Sequence, residues 1–133
     1  MGDEPTRHQS RERALGLLYE AELKGASLES VVAALPVQPD AFTHGLLTAV
    51  ASHRTRVDEL VAQSSVGWPL DRMAVVDRLV LRMAVAALLA PEPGGPPTAV
   101  VIDEAVELAK TYSTEESGAF VNGILSTIAA RVR

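Results

Sequence analysis

"ESGAFVNGILSTIAARV", residues 116–132, holds the dipeptide Asn122-Gly123 inside an apolar run. An Asn-Gly pair between alternating hydrophobics would signal a tight hairpin. Here the apolar residues Phe120, Val121, Ile124, Leu125 and Ile128 recur at helical spacing, and the following "STIAARVR" has no strand alternation. That pattern is one face of a helix. Asn122 and Gly123 are therefore read as interior helix positions, where a glycine costs about 1 kcal/mol relative to alanine. Such a cost suggests close approach at Gly123, by a neighbouring helix or by a ligand.

Helical periodicity extends outward from this segment over most of the 133 residues. A first helix starts at Thr6, with Gln9 completing a capping box. It carries the stripe Ala14, Leu15, Leu18, Ala21 and stops at Gly25. A short second helix runs from Ser27 to Pro36, and a long third from Asp40 to about Ser65 with Phe42, Leu46, Leu47, Val50, Val57, Leu60 and Val61 on its apolar face. "GWPLDRM" at 67–73 breaks the chain, with Trp68 expected to anchor the turn to the core. A fourth helix over about 74–90 is apolar on nearly every side, which predicts burial. Beyond the Pro/Gly patch at 91–97, Thr98 is expected to cap a fifth helix through Tyr112, with Ile102, Ala105, Val106 and Ala109 on one face. "STEE" at 113–116 then reads as a second capping box, Ser113 to Glu116, opening the sixth. The fold class is all-α.

Composition narrows the function. The net charge of −5 opposes broad nonspecific binding to nucleic acid, which rests on phosphate neutralisation. There is no cysteine, so no disulfide and no thiolate metal site. The acidic trio Asp103, Glu104 and Glu107 lacks the Glu-x-x-His pairs of a di-iron bundle and reads as a solvated helix face. No phosphate loop, nucleophile elbow or zincin motif occurs. Neither a membrane span nor a signal peptide is apparent, which points to the cytoplasm. No cofactor, metal site or catalytic residue is expected.

One local feature runs against the acidic balance. "RHQSRER", residues 7–13, sets Arg7, Arg11 and Arg13 against a single glutamate. Arg7 and Arg11 lie on the meridian of Ala14 and Leu18, so their charges must overhang the end of the bundle or be buried. His8 and Tyr19 lie beside that line. Arginines next to an aromatic can clamp phosphates and stack an unpaired base. A soluble, frayed N-terminal tail is the plain alternative.

"RERALGLLYEAELKG" (11–25), "LDRMAVVDRLVLRMAVAALL" (70–89) and "VVIDEAVELAKTYSTEESGAFVNGIL" (100–125) together resemble the bacterial transcription antitermination factor NusB (Nus factor B) family, in order and over nearly the whole chain. The resemblance implies an all-α domain of six to seven helices in two small subdomains, 1–66 and 67–133. It also implies a non-enzymatic factor that binds boxA RNA of ribosomal RNA leaders together with a small-subunit ribosomal protein acting as Nus factor E. That complex would join the elongating RNA polymerase. Carried over by position, the RNA-binding set is Arg7, His8, Arg11, Arg13, Tyr19, Asp77, Ser117, Phe120 and Asn122, with Phe120 as an exposed stacking platform. The arginine run is thinner than in many relatives. Two rivals remain: a helical interaction module that homodimerises with little RNA binding of its own, and an RNA-modifying enzyme. Against the enzyme, the 133 residues hold no cofactor-binding βαβ pattern and no cysteine nucleophile.

Overall fold

The computed structural model describes residues 4–89 and 96–133, so most of the Pro/Gly patch and Ala90 lie outside the described residues. The described chain forms six α-helices: α1 (Arg7–Lys24), α2 (Leu28–Ala33), α3 (Ala41–Ser64), α4 (Val75–Leu89), α5 (Thr98–Tyr112) and α6 (Glu115–Val132). A single 3₁₀ turn, Leu70–Arg72, precedes α4, and the described residues contain no strand.

Local chemistry sets most helix ends where the sequence places them. Thr6 and Gln9 form the expected reciprocal capping box on α1, and Gly25 ends the helix at φ +60°, a left-handed conformation that glycine adopts without a Cβ penalty. Ser27 caps α2 and Asp40 caps α3. Two caps differ from expectation. Thr98 is the first residue of α5 rather than its cap; Pro97 takes the cap position, and the Thr98 hydroxyl accepts from Arg133 Nη1 instead (3.1 Å). The box opening α6 is shifted by one residue: Thr114 is extended and accepts from the Ser117 amide (3.1 Å). Ser113 is occupied in closing α5, its amide donating to the Ala109 carbonyl.

α4 is the central element, packing against α1, α3, α5 and α6, and every residue from Leu79 to Ala86 is buried. This is why its sequence is apolar all round. The most extensive helix pairings are α5 on α6 and α3 on α4. All six helices contribute to one hydrophobic core.

The Asn122-Gly123 question resolves as a continuous helix, but close packing falls elsewhere. A Cβ at Gly123 would meet nothing within 4 Å, whereas one at Gly118 would lie 2.7 Å from Lys110 Cγ. Gly118 faces α5; Gly123, five residues on, faces solvent. Trp68 is 53% exposed and does not anchor its turn. That turn is held instead by the Ser65 hydroxyl within 3.1 Å of the Trp68 carbonyl and by Arg78 donating to the Leu70 carbonyl (3.1 Å).

Candidate RNA interface

The basic stretch forms the first turns of α1, where Thr6 capping fixes the helix start and hence the direction of Arg7 and Arg11. The two guanidinium groups lie over the same ring, that of Phe42 in the first turn of α3, at 4.9 and 5.2 Å from its centroid. A hydrogen-bonded knot joins the two helix starts at this level. Asp40 Oδ2 accepts from the Ser10 hydroxyl (2.8 Å) and from the Thr43 amide (3.1 Å), and the Thr43 hydroxyl donates to Oδ1 (2.6 Å). Ser10 and Thr43 are fully enclosed. Hydrogen bonding from Thr43 and Ser10 holds the Asp40 carboxyl below its ordinary range despite some desolvation.

The two arginines differ in burial. Arg7 overhangs the end of the bundle and is exposed, as the helical meridian predicts. Arg11 does not overhang; only 8% of it is exposed. Its nearest carboxylate oxygen is Glu104 Oε1 at 3.9 Å, and it makes no hydrogen bond among the described residues. Burial pulls its pKa down, Glu104 opposes this, and neighbouring Arg7 adds to it. The group remains a cation at neutral pH.

Facing this set from α5 is Glu104. Its Oε2 pairs with His8 Nδ1 at 2.9 Å, and His8 Nε2 lies 3.7 Å from Glu12. The Glu104 hydrogen bond is the main cause of the raised His8 pKa; desolvation opposes it, and the charges of Glu104, Glu12 and Glu107 add to it. Glu12 in turn accepts from the Tyr112 hydroxyl at the far end of α5, which raises the tyrosine's pKa. Long polar side chains thus bridge α1 and α5. Arg13 is exposed and forms no ion pair among the described residues.

The remaining expected residues lie apart. Asp77, in the first turn of α4, is buried, and its Oδ2 accepts from the Ser117 hydroxyl at 3.0 Å. Its Oδ1 is enclosed without a partner among the described residues. Phe120 is half-buried and packs against the core, so it is not the exposed platform expected. Asn122 is exposed, with the Ser126 hydroxyl 3.5 Å from its carbonyl oxygen. Tyr19 is 39% exposed on α1. No hydrogen bond, ion pair or cation–ring contact among the described residues links Asp77, Ser117, Phe120, Asn122 or Tyr19 to the arginine rim. Two members of that rim, Phe42 and Glu104, carry only core-stripe and solvated-face patterns in the sequence.

The sequence model of the NusB family matches residues 8–130, which takes in the Asp77–Ser117 pair and, apart from Arg7, the rim. The chain belongs to the NusB family. It is 45% identical over 127 residues to the transcription antitermination protein NusB of Thermobifida fusca, covering 92% of this chain and 88% of that protein. It is 43% identical over 131 residues to the NusB of Anaeromyxobacter dehalogenans, covering 93% and 90%. Among solved structures, NusB of T. maritima superposes with a TM-score of 0.84 at 32% identity, covering 96% of this chain and 93% of that one. A NusB chain solved as the antitermination factors NusB and NusE in complex with dsRNA superposes with a TM-score of 0.73 at 29% identity, covering 94% and 96%. The all-α NusB fold is therefore shared along nearly the full length.

Proposed function

We propose that this chain is a transcription antitermination factor. It binds boxA RNA of ribosomal RNA leaders together with the small-subunit ribosomal protein that acts as Nus factor E, and joins the elongating RNA polymerase. It acts by binding, without catalysis, in the cytoplasm where transcription takes place. Family membership supports this reading, as does the likeness to a NusB captured with NusE and dsRNA.

The observation that carries the RNA side is Arg11. A guanidinium that is nearly enclosed, carries unused N–H donors and sits one helical turn from the exposed Arg7 is suited to an incoming phosphate. Arg7, Arg11 and Arg13 take backbone phosphates. RNA phosphate competes with Glu104 for Arg11 and His8, which moderates the affinity of an acidic protein for RNA in general. Tyr19 offers a ring face, and the Asn122 amide is free to read a base edge. Asp77 and Ser117 act indirectly, by fixing the start of α6 against α4. The ribosomal partner supplies a second surface, so that joint affinity exceeds that of either protein alone.

The test is a titration of boxA RNA with and without the ribosomal partner, repeated with Arg7→Ala plus Arg11→Ala at low and high salt. The partner should tighten binding. The double variant should weaken it about tenfold or more at low salt and reduce the slope of log affinity against log salt by about 1.4, from two lost contacts to a single strand. Parental binding by the double variant at both salts would remove the arginine rim from the RNA interface.

A further inference from the structure

Phe42 is half-buried, yet it stands outside the hydrophobic core that encloses Leu47, Val50, Val57, Leu60 and Val61 of α3. What lies over its ring are two cations, Arg7 and Arg11. Held one turn apart on α1, these like charges repel each other, and neither has a carboxylate within hydrogen-bonding distance among the described residues. The negative face of an aromatic ring attracts both and offsets part of that repulsion. A cation held through a ring face also keeps its N–H donors available, which a carboxylate partner would occupy. The residue that carries the ring is anchored at the start of α3. It sits between Asp40 and Thr43 in sequence, inside the knot that ties the α3 start to Ser10.

We infer that Phe42 is a positioning residue of the RNA site: its ring gathers the guanidinium groups of Arg7 and Arg11 into one preformed phosphate cradle. The inference rests on the RNA-binding reading above. Arginines already confined before the transcript arrives lose less side-chain freedom on binding, which strengthens the complex without any contact between Phe42 and RNA.

The experiment measures boxA RNA binding by fluorescence anisotropy with the full chain and the ribosomal partner. Phe42→Leu keeps an apolar side chain and removes the ring; Phe42→Met is the second variant should the leucine fail to fold, and Phe42→Trp restores an aromatic face. The ring-less variant should bind roughly three- to tenfold more weakly at an unchanged circular-dichroism spectrum, and Phe42→Trp should return binding to the parental level. In an Arg7→Ala, Arg11→Ala background, removing the ring should change nothing further. If the ring-less variant binds like the parent while the double arginine variant is weakened, Phe42 has no positioning role and the RNA reading stands. An equal loss in both backgrounds makes Phe42 merely structural and overturns the inference. Parental binding by the double arginine variant instead defeats the RNA reading itself.

Discussion

Two groups of arginines flank α1, and the protein treats them in opposite ways. Near the end of α1, Arg82 of α4 donates from Nε and Nη2 to the two oxygens of Asp58 (3.0 and 3.3 Å), and its Nη1 lies 3.6 Å from Glu22. Arg78 reaches the same Glu22 at 3.2 Å and also donates to the Leu70 carbonyl. Here the cations are committed to partners on α1, α3 and the 3₁₀ turn, and they clamp the helices together. At the start of α1, Arg7 and Arg11 share one ring, and only Arg11 has a carboxylate nearby, Glu104 at 3.9 Å. An arginine saturated by its own fold contributes to stability. One held in place but left with free donors is available for a ligand.

The largest effect should come from breaking the saturated group. Asp58→Ala leaves the buried Arg82 without its two-pronged partner and should cost about 3 kcal/mol in urea unfolding, with boxA affinity of the folded protein unchanged. A loss of RNA affinity beyond the loss of folded protein would break the division between the two groups. Desolvation works to raise the Asp58 pKa, but hydrogen bonds and charge from Arg82 and Arg54 outweigh it, so the net shift is downward. With the folded pKa depressed, its stabilising contribution is present above the unfolded carboxylate value of about 3.9 and fades as pH falls through the folded value. Asp58→Asn should therefore flatten the acid limb of the stability profile.

Gly123→Ala touches neither group and sets the baseline. Because a Cβ there meets open space on a helix, the substitution should stabilise the fold by about 0.5 to 1 kcal/mol, read from the denaturation midpoint, at unchanged RNA binding. Glu104→Gln sharpens the rim. Removing the competing charge should tighten boxA binding about threefold and shift stability by about 0.5 kcal/mol or less, since the pair is partly solvated. Weaker binding would instead make Glu104 a support for the arginines. The smallest effect is on His8. Its raised pKa means that its stabilising contribution is complete below the unfolded value of about 6.5 and disappears as pH rises through the folded one. An NMR titration should find the His8 pKa above 6.5 in the parent and closer to it in Glu104→Gln.

Much of this architecture was legible from short-range chemistry. Capping boxes, a left-handed glycine and helical spacing act within a few residues, so Thr6, Gly25, Ser27 and Asp40 could be placed from the chain alone. The failures have the same root. Ser113 and Thr114 are both competent caps, and which one serves depends on where α5 finishes. Trp68 is apolar, but its turn is held by polar contacts to Ser65 and Arg78, which leave the indole outside.

By itself the sequence determined the all-α class, the helix order and the presence of a basic cluster at the head of α1, because periodicity, capping and charge are local properties. The tertiary structure alone decided which glycine meets a neighbour, Gly118 rather than Gly123. It also decided that Arg11 is enclosed and that Phe42 and Glu104, 31 and 93 positions further along, become its neighbours. Cation–ring and ion-pair contacts depend on separation in space, and helix packing sets those distances across stretches of chain that share no local pattern.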